Sequence, residues 1–140
     1  MLNHSADYAL RAVLFLAQQP RGSRSNVEAV SAAIGVPRNY LGKVLNTLAR
    51  KRVLSSVRGP RGGFRLAADP AGITLENVIE PFQRLPERRM CLLGNRPCDQ
   101  SRPCSVHTRW RRMSRPVTDF FRETTIDRLL KPEQETGDGT

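Results

Sequence analysis

The chain has 140 residues, 39% of them apolar, and a formal net charge of +10. That length suits one or two small domains, and no apolar run reaches the roughly eighteen residues that a membrane helix needs. The charge is uneven: residues 1–70 hold eleven basic and three acidic side chains, whereas residues 71–140 hold twelve and ten. No carboxylate occurs between Glu28 and Asp69, a stretch that carries Arg38, Lys43, Arg50, Lys51, Arg52, Arg58, Arg61 and Arg65. A basic segment without carboxylates favours a polyanion, with counterion release supplying much of the affinity.

The first segment, Met1-Leu2-Asn3-His4-Ser5, has no basic region ahead of an apolar stretch, so a secretory signal is not expected. A cytoplasmic location is expected instead, where thiols stay reduced. The spacing of Ala6, Ala9, Leu10, Val13, Leu14 and Ala17 predicts a helix over 5–18 with Ser5 as N-cap. Pro20-Arg21-Gly22-Ser23 breaks it. Ser25 or Asn26 then caps a second helix that turns Val27, Val30 and Ile34 inward and is closed by Gly35. Pro37 suits the first turn of a third helix whose Leu41, Val44, Leu45 and Leu48 face the core. Arg38, Asn39, Tyr40, Lys43, Asn46, Thr47 and Arg50 remain for its other faces.

Two short helices joined by a tight glycine turn form a helix-turn-helix, whose second helix is placed to enter a major groove. A strand over 53–57, the turn Arg58-Gly59-Pro60-Arg61-Gly62-Gly63 and a returning strand over 64–66 make a hairpin. A hairpin at this point is the wing of a winged helix. Its glycines allow close approach to a phosphate, and Arg58 and Arg61 supply charge. For DNA contact the best candidates are Arg38, Asn39, Tyr40 and Lys43 in the third helix, with Arg58 and Arg61 in the wing.

Residues 68–72 read as a linker. A short helix over 74–83 follows, capped by Thr74, with Leu75, Val78, Ile79 and Phe82 apolar. Residues 84–103 read as a loop, interrupted by Gly94, Pro97 and Pro103. A loop of that length calls for an organising element, and a bound metal would provide one. The chain's three cysteines, Cys91, Cys98 and Cys104, lie here or just beyond, with His107 shortly after. Three thiolates and one imidazole can hold zinc or an iron–sulfur cluster; without metal, the thiols can act as a disulfide switch. After Cys104 a helix resumes, and Val106, Trp110, Met113, Val117 and Phe120 recur in steps of four and three, the spacing of a helix-pairing seam. The seam predicts a dimer interface, with Pro116 kinking the helix. The chain thus divides into a winged helix-turn-helix domain over 1–70, a cysteine loop and dimerisation helix over 71–130, and a polar, disordered tail over 131–140. The fold class is mainly α with one small β-hairpin. No P-loop, nucleophile elbow or paired-carboxylate pattern points to an enzyme, and neither histidine, His4 nor His107, has triad-like neighbours.

These pieces resemble the Rrf2 family of winged-helix transcription regulators. The resemblance covers roughly residues 1–130. It is carried by Asp7-Tyr8-Ala9-Leu10-Arg11-Ala12, by Val36-Pro37-Arg38-Asn39-Tyr40-Leu41, by Ser56-Val57-Arg58-Gly59-Pro60 with Gly62-Gly63-Phe64, and by the three cysteines. It implies a homodimer on a palindromic operator, a repressor whose binding responds to an iron–sulfur cluster that senses nitric oxide, redox state or cluster supply. By the same resemblance Cys91, Cys98 and Cys104 are the thiolate ligands. His107 matches the fourth ligand of IscR-like members, which carry a 2Fe–2S cluster. Asp7 matches that of NsrR-like members, which carry a 4Fe–4S cluster and take this carboxylate from the partner subunit. The spacing between Cys91 and Cys98 is one residue longer than the IscR pattern, so the cluster type stays open.

Overall fold

The computed structural model describes residues 2–85 and 107–131, with the side chain of residue 107 excepted. Its elements in order are α1 (His4–Ala17), α2 (Val27–Ile34), α3 (Arg38–Arg50), β1 (Leu54–Val57), β2 (Gly63–Leu66), a 3₁₀ turn (Pro70–Gly72), α4 (Leu75–Ile79), α5 (His107–Glu123) and α6 (Ile126–Leu130). The expected helices and hairpin are therefore present.

Local chemistry sets most boundaries. The cap of α1 is Asn3 rather than Ser5: Asn3 is extended, and its side-chain oxygen accepts from the Ala6 amide at 2.8 Å. The Ser5 hydroxyl is committed elsewhere, to Tyr40. Asn26 caps α2 through the Ala29 amide at 2.8 Å, and Gly35 closes it in the left-handed conformation at φ 69°. Thr74 and Asn77 form a reciprocal capping box at the start of α4. That helix ends at Ile79, earlier than the periodicity predicts. Pro81 has no amide to extend it, and the amides of Phe82 and Gln83 fold back onto the Ile79 carbonyl. The segment read as a linker holds the 3₁₀ turn, capped by Asp69.

The core is one apolar cluster. Helix α1 lies at its centre, packed by α2, α3, α4, α6 and β2. With neighbours on several sides it buries Ala6, Ala9, Ala12, Val13 and Leu16, while Leu10, Leu14 and Ala17 are only partly covered. The small alanines let the surrounding helices approach closely. All four inward residues of α3, Leu41, Val44, Leu45 and Leu48, are buried. The hairpin pairs Leu54 with Leu66 and Ser56 with Phe64. Ser25, ahead of α2, adds a bridge to Phe64 through reciprocal backbone bonds of 3.0 and 2.8 Å. The wing is thereby fixed to the helix-turn-helix.

Helix α6 is absent from the sequence reading. It is held by a bridge between Thr74 and Thr125, with the Leu75 amide donating to the Thr124 carbonyl and the Ile126 amide to the Ile73 carbonyl, each at 2.9 Å. Ile126 is fully buried in the common core. The Thr125 hydroxyl donates to the Asp127 carboxylate and holds its pKa below the ordinary value. Helix α5 runs through Pro116 and buries Ser114, Thr118 and Phe121 on its inner side. No helix among the described residues is long and apolar enough to cross a membrane.

Candidate nucleic-acid interface and cysteine segment

The outer face of α3 and the wing enclose an open groove of about 480 Å³. Arg38, Asn39, Lys43 and Asn46 line it from the helix; Gly59, Pro60, Gly62 and Gly63 line it from the wing. A second groove alongside gathers Lys43, Asn46, Thr47, Arg50, Ser56 and Arg58. Lys43 and Asn46 therefore stand on the ridge between the two. This juxtaposition is what a groove-reading helix with a phosphate-holding wing requires. The wing needs its glycines for internal reasons as well. A Cβ on Gly62 would overlap the Val57 carbonyl oxygen, and one on Gly63, at φ 140°, would sit 2.6 Å from that of Ser25.

The candidate DNA contacts do not share one environment. Asn39, Lys43, Arg58 and Arg61 are exposed. Arg38 is paired with Glu28 at 2.7 Å, across the two helices of the motif. Both side chains remain more than half exposed, so the pair stabilises by well under about 1 kcal/mol and opens readily to a phosphate. Tyr40 turns the other way, toward α1. Its hydroxyl shares a hydrogen bond with that of Ser5, and its ring stands edge-on to Tyr8 with centroids 5.5 Å apart. Tyr8 in turn lies 6.0 Å from the His4 ring. Tyr40 thus ties α3 to α1 while 40% of it stays exposed. Asn46 and Arg50, which the sequence leaves among outward positions without singling them out, line the grooves. Their signal is spacing, since each lies two helical turns beyond a candidate already chosen, Asn39 and Lys43 respectively.

Cys91, Cys98, Cys104 and Val106 lie outside the described residues, as does the predicted tail from residue 132 onward. For His107 only its place at the start of α5 is described. Among the described residues no group of three His, Cys, Asp or Glu side chains comes together. Asp7 sits in the first turn of α1, and its carboxylate meets Arg11 at 3.2 Å with 38% of the side chain exposed. A surface pair of that kind is weak, so the carboxylate stays available as a ligand. As chemistry, three thiolates completed by an accessible carboxylate or an imidazole suit an iron–sulfur cluster. The predicted seam residues divide: Met113 and Phe120 are 70% and 54% exposed, while Trp110 and Val117 are half-buried at the border of the inner face.

A family model described as Rrf2, iron-dependent transcriptional regulator, matches residues 2–132. A protein of Aquifex aeolicus (strain VF5) assigned as an HTH-type transcriptional regulator is 38% identical, over 91% of this chain and 90% of its own. The HTH-type transcriptional regulator IscR of Vibrio vulnificus (strain YJ016) is 30% identical, over 95% of this chain and 79% of its own. Among solved structures, CymR, the global cysteine regulator of B. subtilis, aligns with a TM-score of 0.77 at 18% identity, covering 92% of this chain and 95% of that one. IscR of T. potens aligns with a TM-score of 0.74 at 19% identity, covering 100% and 93%. At such identities the structural likeness is one of fold.

Proposed function

Because this chain belongs to the Rrf2 family of transcriptional regulators, not to a family of enzymes, we propose that it is a cytoplasmic repressor whose operator binding is governed by an iron–sulfur cluster on Cys91, Cys98 and Cys104. The observation that carries the DNA half is the basic face of α3, a helix with no carboxylate of its own, set beside the wing, with Glu28 of α2 at the groove edge. Lys43 and Asn39 read or approach bases, Arg58 and Arg61 hold phosphates, and Arg38 exchanges Glu28 for the backbone. Two copies paired through Met113 and Phe120 would present two α3 helices to a palindromic site.

The sensing half rests on the donor set and the family. Once bound, the cluster supplies a centre that reacts with nitric oxide or oxidants. Asp7 or His107 completes the ligands, and a hard carboxylate or an imidazole among thiolates leaves one position easier to displace. The α1 contacts favour a route for the signal. Asp7 shares a helical turn with Ser5 and Tyr8, and both of these touch Tyr40 of α3. A pull on Asp7 is therefore felt at the base of the recognition helix.

The test is anaerobic purification with absorbance, iron and sulfide analysis, followed by operator binding before and after nitric oxide. A coloured protein whose operator affinity changes at least about tenfold on exposure bears the reading out; a colourless, iron-free protein overturns it. Replacing Asp7 and His107 singly by Ala then identifies the fourth ligand, since only the true one destabilises the cluster. A second reading is a metal-free thiol switch, favoured by a structural neighbour solved as the oxidized form of Staphylococcus aureus CymR. It predicts that a thiol oxidant alone alters operator binding in protein without metal. Zinc in place of iron, with unchanged DNA binding on oxidation, would make the site structural.

A further inference from the structure

Gly42 occupies the interior of α3, three residues after Asn39 and four before Asn46, outside the buried stripe of Leu41, Leu45 and Leu48. It lines the groove shared with the wing. Glycine is the poorest helix former after proline, so a glycine in the second turn of a short helix destabilises it. Elsewhere in the motif the chain itself explains its glycines. Gly35 has a left-handed φ, and Gly62 and Gly63 have backbone where a Cβ would go. Gly42 has neither reason. It is not among the glycines of positive φ, and a Cβ built on it meets no atom within 4 Å. Nothing in the described chain requires the missing methyl group. A surface arriving from outside would.

We propose that Gly42 is the point of closest approach between the α3 backbone and the operator's base edges, and so determines how deeply the recognition helix seats in the major groove. This rests on the DNA-binding reading and deepens it. The flanking side chains fit the role. Asn39 and Asn46 can donate to and accept from base edges one turn on either side, and Lys43 next to Gly42 can reach a guanine or a phosphate. A methyl group at position 42 would hold the helix off and lengthen each of those contacts. Non-specific binding, which depends on backbone phosphates, does not need that depth.

Gly42→Ala separates the two roles because stability and binding should move in opposite directions. The wild-type full-length chain is first used to select its operator from a random duplex library. The variant should then melt a few degrees higher than wild type, since alanine is the better helix former. Its affinity for the selected operator should fall about tenfold or more, the size of losing one base contact. Its affinity for unrelated duplex should stay within about twofold, because that binding is phosphate-driven. Unchanged or tighter operator binding by Gly42→Ala overturns the proposal while leaving the DNA-binding reading intact. An equal loss on operator and unrelated duplex also overturns it, since depth in the groove would then not be what changed. A wild-type chain that selects no sequence overturns both.

Discussion

Helices α3 and α5 are both basic and amphipathic, yet they bury opposite kinds of residue. Helix α3 places every large aliphatic side chain in the core and gives water its polar ones, with Leu41, Leu45 and Leu48 at 0% exposure. Helix α5 turns Ser114, Thr118 and Phe121 inward and leaves Met113 at 70% and Phe120 at 54% exposure. Amphipathicity alone does not say which face meets the protein's own core. The first helix is finished within the chain and offers a polar surface to a hydrated, charged partner. The second leaves apolar area on the protein's surface.

The largest effect is expected at α5. Met113→Glu combined with Phe120→Glu should turn dimers into monomers at micromolar concentration. Operator binding should weaken by ~100-fold or more, because two charges would be buried on each side and a lone protomer reaches only one half-site. Sedimentation velocity and gel-shift titration check this; an unaltered dimer would show that the apolar stripe serves something else. Truncation on the inner side of α3 acts through stability instead. Leu45→Ala should cost about 3 kcal/mol, read as a lower urea midpoint with an unchanged slope. On the outer side, Arg61→Ala should weaken all duplexes alike and reduce the salt slope by about one. A loss confined to one operator would make Arg61 a base reader. The smallest effect lies at the end of α3, where Arg52 takes φ 62° and the Val53 and Arg52 amides bond back to Leu48 and Ala49. That position of a helix C-terminus favours glycine, so Arg52→Gly should add about 1 kcal/mol. A fall in the urea midpoint there would mean that the arginine side chain itself is engaged.

The same contrast explains what could be read from sequence. Helices α1 to α3 and the wing follow from local signals: periodic apolar residues, Asn26, Gly35 and a glycine-rich turn. Helix α6 does not, because its five residues are held by a bridge from Thr74 to Thr125, and pattern reading sees no partner fifty residues away. The seam on α5 is legible as a stripe, but its division between core and surface depends on where α4 packs. Asn3 displaced Ser5 as the α1 cap for a similar reason: the Ser5 hydroxyl had a tertiary partner in Tyr40 that no local rule supplies. Of the candidate site, the groove residues were legible from charge and spacing, whereas the contacts of Tyr40 with Ser5 and Tyr8 were not.

The burial of Ile126 beside α1 and α4 also bears on how the protein is made. A ribosome-bound chain that stops short of residue 126 has the whole helix-turn-helix and wing, yet leaves the floor of their core open to water. Such a nascent chain is exposed to chaperones and proteases at a stage when its DNA-reading surface is already spelled out. Emergence of α6 closes that floor, so the core beneath the DNA-reading surface is sealed only after a segment some sixty residues beyond the wing has been made.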